Sequence, residues 1–480
     1  MQPCIHAFIQ TFSLILIFAF FSVDSFSQTL LESFESIDGW EIYKADGVEA
    51  EISSAEGFSG KGVKFEYDFI KGTGYGGIQK FFTIDLPENF QFTFYLKGDS
   101  PPNNFEFKLI DSSGNNVWWV NNRNFDFSED WRKIKIKKRH INFAWGPTQD
   151  KSLKRIDRIE FTIASYVGGK GTIYIDELTF EELPPEDNSP INPIAKASSE
   201  LSDEFSINNI LDNNPSTEWR SDENENQNII LDLTKRREFG GLLIDWSKEN
   251  YAKDFDVYLS TDNKKWEKVY SVKNAKGNKS YIRFVEEDAA SIKINLLKSS
   301  KGIGYGIKEI SIKNVDYSAD INKFFINIAK DYPRGFYPRY FYEKGTFWTV
   351  VGVNNDIKEA LINEDGMVEV DKKSFSIEPF LFIDDKFVTW NDVEKTQSLQ
   401  AILPFQDGYL PIPSVIWNYN DLYLQIKIFA DGNANKNSTL YLMYSIINNT
   451  SVPKKGKLYL ALRPFQVNPY YQWLNITGGA

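Results

Sequence analysis

The feature that most constrains this chain is its period. It is written in short stretches that alternate apolar and polar residues: "GGIQKFFTIDL", "NFQFTFYLKG", "NFEFKLIDSSG", "TIYIDELTF", "DFDVYLSTDN", "SIKINLL" and "LYLMYSIINN". A two-residue period puts successive side chains on opposite faces of an extended strand. Turn residues such as Ser113-Gly114 separate the stretches. No long stretch repeats at the helical period, so the expected class is all-β. A strand with one apolar face pairs into a sheet, and a second sheet covers that face. At 480 residues the chain exceeds one core, and three consecutive β-sandwiches are expected. "EELPPEDNSPINP", residues 181–193, is rich in Pro, acid and Asn and reads as a linker. "NVDYSADINK", residues 314–323, marks a second boundary. The expected organisation is a leader over 1–27, a sandwich over 28–183, a linker over 184–193, a second sandwich over 194–314, and a larger one over 320–480.

Rare residues narrow the chemistry. The N-terminus "MQPCIHAFIQTFSLILIFAFFSVDSFSQ" carries a short apolar core, with Ser25 and Ser27 at −3 and −1 before Gln28. It reads as a secretory signal peptide cleaved near Ser27, which predicts a secreted, periplasmic or cell-surface protein. The one cysteine, Cys4, and one of two histidines, His6, leave with it. The mature chain then has neither thiol chemistry nor a cysteine or multi-histidine metal site. Any catalysis would rest on carboxylates. A net charge of −12 disfavours nucleic acid and anionic lipid. The basic run "WRKIKIKKRH", residues 131–140, alternates with Ile and reads as one face of a strand. No later segment is suited to membrane insertion.

In the first segment, acids flank both ends: Glu32 and Glu35 in "LLESFESIDGW", and Asp176 and Glu177 in "TIYIDELTF". In a jelly roll the first and last strands are neighbours, so Glu35 and Asp176 become candidate ligands for Ca²⁺, a cation that takes hard oxygen donors. "NNVWWVNNRNF" sets Trp118 beside Trp119, so one belongs to the core and the other faces outward. Trp145 sits in the loop "FAWGPTQ". This opening, the WGP loop and the closing "YIDEL" resemble the jelly-roll carbohydrate-binding modules attached to secreted bacterial glycosidases. The resemblance implies that Trp118, Trp119 and Trp145 are sugar contacts.

In the second segment, "ILDNNPSTEW" places Asp212, Asn214 and Thr217 at i, i+2 and i+5 around Pro215. In a tight loop that spacing turns three oxygens inward. "AKASSELSDEFSINNILDNNPSTEWRS", "FDVYLSTDNKKWEKV" and "YGIKEISIKN" together resemble a discoidin-like domain, the type C domain of coagulation factors and of many bacterial sugar-binding modules. Both this segment and the first are then galactose-binding-like jelly rolls. The resemblance implies a structural calcium held by Asp212, Asn214, Thr217, Glu309 and the carbonyl of Asn209. Two positions depart from the pattern: the usual Gly is Asn213, which tolerates left-handed φ, and the usual second Asp is Asn214. Trp219 and Trp266 are expected in the core. The family's ligand face is built by loops, here "SSELSDEFS", "WSKENYA" and "SSKGIGYG", whose plausible contacts are Phe205, Glu249, Asn250, Tyr251 and Tyr305. An acidic protein without an obvious apolar spike is not expected to bind phospholipid.

The third segment resembles the large β-sandwich that precedes the six-hairpin catalytic barrel of some glycoside hydrolases and phosphorylases. In such enzymes the acid and base come mostly from the helical barrel, and this segment reads as cut short before one. Glu364-Asp365 and Asp384-Asp385 sit in apparent hairpin turns, so neither they nor the nearby Glu369 and Asp371 are expected to be catalytic. The leading expectation is a secreted carbohydrate-binding protein, non-catalytic in this chain, that targets a glycosidase to polysaccharide. The alternatives are the N-terminal part of a glycoside hydrolase and a cell-surface adhesion protein.

Overall fold

A computed structural model describes residues 28–284, 287–371, 374–395 and 412–472. The signal peptide expected over 1–27 lies outside the described residues. The chain forms two compact units that part between Glu186 and Asp187. It is nearly all β, with antiparallel sheets. The one α-helix among the described residues is Ile321–Ala329, and no helix there is long and apolar enough to cross a membrane.

The first unit is a sandwich. One sheet runs Glu49–Glu56, Lys61–Asp68, Lys170–Glu182, Phe90–Asp99, Arg132–Lys137, with Gln28–Glu32 also on Lys170–Glu182. The first and last strands are therefore neighbours. The other sheet runs Asn142–Trp145, Val117–Phe125, Asn103–Ile110, Arg155–Ala164, Tyr75–Asp85, Glu41–Lys44. Alternation decides which face is core. In "NFEFKLI", Phe105, Phe107 and Leu109 are fully buried between the sheets, so Glu106 and Lys108 face away from it. Phe94, Phe105, Phe107 and Phe161 pack as one aromatic cluster with centroids 5.0–6.4 Å apart. Burying each such side chain contributes roughly 1.5–3 kcal/mol.

The second unit holds two sandwiches. The first pairs a five-stranded sheet, Ile194–Ala197, Gln227–Glu238, Asp288–Ser299, Ala252–Ser260, Glu267–Val272, with a four-stranded one, Trp219–Arg220, Gly306–Lys313, Gly241–Trp246, Lys279–Arg283. Trp219 and Trp246 are buried at its centre. Trp266 is not core. It lies half-exposed, with Lys293 Nζ 4.5 Å above its ring, because its position just past the Asp262 turn leaves it outside the sheet interface. The last sandwich packs strands including Ser376–Ile383 and Gly456–Arg463 against Ser414–Tyr419, Leu422–Gly432 and Ser438–Asn448. Val368, Leu381, Trp417 and Ile426 form its core.

The expected boundary at 314–323 is not an open linker. Ser318 Oγ donates to the Gly240 carbonyl. Arg283 Nε donates to the Ser318 carbonyl at 3.1 Å. Asp331, just past the helix, accepts from Lys279 at 3.2 Å and from Tyr281 Oη at 2.8 Å. Helix Ile321–Ala329 begins at Asp320, whose carboxylate accepts from Lys323 N at 2.8 Å, an N-cap.

Candidate ligand faces and cation sites

The outer face of the second sheet in the first unit gathers polar groups that a sheet surface seldom buries. Register pairs Lys108 with Trp119 and Glu160, and Glu106 with Asn121 and Thr162. Glu106, Lys108 and Glu160 are 6–7% exposed although they face away from the core. The face is therefore recessed between its rim side chains. Lys108 pairs with Glu106 at 2.9 Å and Arg158 with Glu160 at 3.0 Å, which offsets their desolvation. Around Lys108 Nζ stand Trp145, Tyr43 and Tyr75, with centroids 5.7, 5.8 and 6.0 Å away. Trp119 meets Trp145 edge to face at 5.3 Å and 87°. Trp145 is 48% exposed. Burial, and then the Glu160 charge, push the Tyr43 hydroxyl well above its usual range. Asn121 Nδ2 donates to Glu106 at 3.3 Å, while Asn121 Oδ1 is buried without a partner.

Trp118, by contrast, is core: it is buried and its indole N–H donates to the Lys151 carbonyl at 2.7 Å. Its place among the expected sugar contacts is corrected by strand parity, which sends only Trp119 outward. Trp145 owes its position to Gly146, whose φ of +142° and close approach to Asn116 leave no room for a Cβ. Tyr43, Tyr75, Glu106, Lys108, Asn121 and Glu160 were not picked out from sequence. The signal was present in "NFEFKLI", where two charges alternate with three core residues.

Glu35 and Asp176 converge on one turn. Asp176 is fully buried, and its carboxylate accepts from Ser59 N at 3.0 Å and Glu177 N at 2.7 Å. Glu35 Oε1 accepts from Lys61 N at 3.0 Å. A Cβ on Gly60, at φ +61°, would fall 2.0 Å from that same oxygen. Glu32 does not join them, since it pairs with Lys80 and accepts from the Trp40 indole at 3.3 Å.

In the second unit the 207–217 segment folds into a closed oxygen-rich loop. Asn214 N donates to Asp212 Oδ1 at 2.8 Å, and Thr217 Oγ1 donates to Asp212 Oδ2 at 2.7 Å. Asn213 takes φ +57°, so Asn serves at the position where the pattern has Gly. Asn209 Nδ2 ties the loop shut on the carbonyls of Glu204 and Glu218, at 2.8 and 3.0 Å. Glu309, on strand Gly306–Lys313, is brought beside it. Burial and the Asp212 charge raise the Glu309 carboxyl above the usual range, against the pull of the Asn213 N–H. Glu309 Oε2 is buried without a hydrogen-bond partner. The two carboxylates are thus close enough for the charge of Asp212 to act on Glu309. Among the described residues no three His, Cys, Asp or Glu side chains gather as a metal site, so a cation here would also need hydroxyl and carbonyl ligands.

The loop end of the same sandwich is more open. Arg220 stacks on Phe205 at 4.4 Å and pairs with Glu218. Glu249 pairs with Lys301, which holds its carboxyl below the usual range. Asn250 accepts from Gly306 N at 2.7 Å through its carbonyl, and Tyr251 lies partly buried against the core. Tyr305 is not a surface contact. It is 1% exposed, and burial pushes its hydroxyl up to about 12. Its position just ahead of a strand whose inner face is core pulls the ring inside. Leu201 and Ile303 project from the neighbouring loops at 50% and 51% exposure.

In the last sandwich the two acidic turns differ. Asp384 and Asp385 take positive φ in a hairpin turn. Glu364 and Asp365 are buried, and both pair with Arg339 while Asp365 also pairs with Lys395. These acids are structural ion pairs rather than simple turn residues.

Residues 194–309 match the F5/8 type C domain, so the first sandwich of the second unit is a discoidin domain. No curated protein matches the chain. Solved structures similar to parts of it include chitosan-binding module 2 of a chitosanase/glucanase from Paenibacillus sp. IK-5 in complex with chitotriose, at 21% identity, 26% of this chain, 98% of that one and TM-score 0.25. A family 11 carbohydrate-binding module of the cellulosomal cellulase Lic26A-Cel5E of Clostridium thermocellum is 19% identical over 34% of this chain and 98% of that one, with TM-score 0.29. A CBM32 module of Clostridium perfringens in complex with GalNAc-β-1,3-galactose is 19% identical over 26% of this chain and 99% of that one, with TM-score 0.24.

Proposed function

We propose that this chain is an exported carbohydrate-binding protein that holds neutral polysaccharide on the outer sheet face of its first unit and brings a glycosidase to it. The observation that carries the reading is the recessed group of Glu106, Lys108, Glu160 and Asn121 beneath exposed Trp145 and Tyr75. A pyranose presents an apolar C–H face and a rim of hydroxyls. The rings of Trp145, Trp119 and Tyr75 suit the first. The carboxylates, the lysine and the unpartnered Asn121 Oδ1 suit the second, and their ion pairs hold them ready before ligand arrives. The discoidin domain adds a lesser contact at Phe205 and Arg220.

Calcium fits two places. In the discoidin domain, Asp212, Asn214, Thr217, Glu309 and the Asn209 carbonyl would hold it. The buried, unpartnered Glu309 Oε2 beside Asp212 supports this, and an all-oxygen donor set suits the ion. In the first unit, Glu35 and Asp176 would hold it at the Gly57–Lys61 turn. In each, the ion would neutralise paired acids and brace a loop. Isothermal titration of the purified chain against a panel of soluble neutral glycans, with calcium present, tests the proposal. Binding to at least one is expected, and no binding to any of them contradicts it.

A further inference from the structure

The basic run 132–137 lies on the other sheet of the first unit. Ile134 and Ile136 pack toward the core, so Lys133 and Lys135 face out. Register sets Lys133 beside Tyr95. Phe58, 47% exposed, stacks flat on Tyr95 at 3.6 Å and 8°. Trp131 meets Phe58 edge-on at 6.4 Å and Tyr174 at 6.5 Å. These four rings form one continuous outward patch, and no core covers it. Lys97 rises between them, half-buried, with Nζ 4.8 Å from the centroids of both Trp131 and Tyr174. Neither Lys97 nor Lys133 has an acidic partner among the described residues.

A solvated lysine on an acidic protein ordinarily extends into water or finds a carboxylate. Lys97 does neither: its ammonium lies against the Trp131 and Tyr174 rings, beside the place where a sugar stacked on the rest of the patch would lie. The aromatic patch alone would suit any sugar; the amine within it selects one that carries negative charge close to its ring. We propose that this face is a second glycan site, for a polysaccharide of uronic acids. A uronate carboxylate is bonded directly to the pyranose ring, so a sugar stacked on Trp131 or Tyr174 presents it to Lys97 without a spacer. The next residues along the polymer reach Lys133. Across the sheet, toward Glu49–Glu56, the face is mixed: Glu49, Glu51, Glu66 and Asp68 stand with Lys44 and Lys170, and Lys64 pairs with Glu66 at 2.9 Å. Lys97 and Lys133, two lysines of this face without an acidic partner among the described residues, lie on strands Phe90–Asp99 and Arg132–Lys137, so the polymer runs along these strands.

Affinity electrophoresis of the full chain in gels containing polygalacturonate tests this. The unaltered chain is expected to be retarded, with Lys97→Gln or Trp131→Ala weakening retardation by roughly tenfold, the scale of one desolvated cation–ring–anion contact. Lys133→Gln, which is exposed and leaves the fold untouched, is expected to weaken it by roughly threefold. Trp145→Ala is expected to leave it unchanged, which separates this site from the neutral-glycan face. Absence of retardation, an unchanged Lys97→Gln variant with an unaltered melting curve, or equal retardation by duplex DNA would overturn the proposal.

Discussion

The two candidate neutral-sugar faces are built differently. In the first unit the contacts stand on strands, and their charges are already paired and nearly buried. In the discoidin domain they stand on loops: Arg220 and Phe205 stack at the surface, and the Glu249–Lys301 pair is exposed. A side chain fixed by strand register loses little freedom when ligand binds, whereas a loop side chain loses more. On the proposed reading, affinity therefore belongs to the first face. On the same reading the discoidin end is a rim contact, and its framework would depend on how well its oxygen-rich loop is neutralised.

Removing a buried partner should break the contrast most strongly. Lys108→Met leaves Glu106 unpaired on the recessed face and is expected to cost roughly 3 kcal/mol of stability, read as the shift in urea midpoint. The exposed equivalent, Lys301→Met, is expected to cost less than about 1 kcal/mol. Equal losses would erase the distinction between the faces.

Calcium sharpens the same contrast at the discoidin loop. At about 100 times its Kd the ion is expected to add ~2.7 kcal/mol, seen as a rise in the melting temperature that Glu309→Gln abolishes. Its pH dependence follows from Glu309, whose carboxyl is raised in the folded chain by burial and Asp212. Without metal, a raised carboxyl contributes stability that is present below its unfolded value and lost as pH rises through the folded one. Calcium competes with that proton, so the calcium-induced rise should be full at neutral pH and shrink as pH falls through the raised Glu309 range. A rise that grows on acidification would contradict the assignment.

The smallest effect is at Tyr305. Its hydroxyl is buried without a partner, so Tyr305→Phe is expected to be neutral or stabilising by less than about 1 kcal/mol. Glycan affinity by isothermal titration should not move.

Much of this was legible because parity is local. The Trp118-Trp119 pair had to split between core and surface, and "RKIKIK" had to face its lysines outward, whatever the sheets did. Asn213 could be read as left-handed from its chemistry, and the fold brings Glu309 near Asp212. What was not legible depends on which strands become neighbours. Lys108 meets Trp145 only because Asn142–Trp145 adds to the sheet beside Val117–Phe125. Glu364 and Asp365 looked like turn acids because Arg339, their partner, lies 26 residues before Asp365. Tyr305 sits in a glycine-rich stretch that reads as a loop, yet it immediately precedes a strand with a buried inner face.

On the proposed reading, the strand-built face of the first unit carries the sugar. Isothermal titration of Trp145→Ala and Phe205→Ala chains against the neutral glycan that binds most tightly tests it directly. Trp145→Ala is expected to lose about 2 kcal/mol, roughly 30-fold in affinity, and Phe205→Ala less than about 1 kcal/mol. The reverse order, with Phe205→Ala the more damaging, would place the sugar on the discoidin loops and contradict the account.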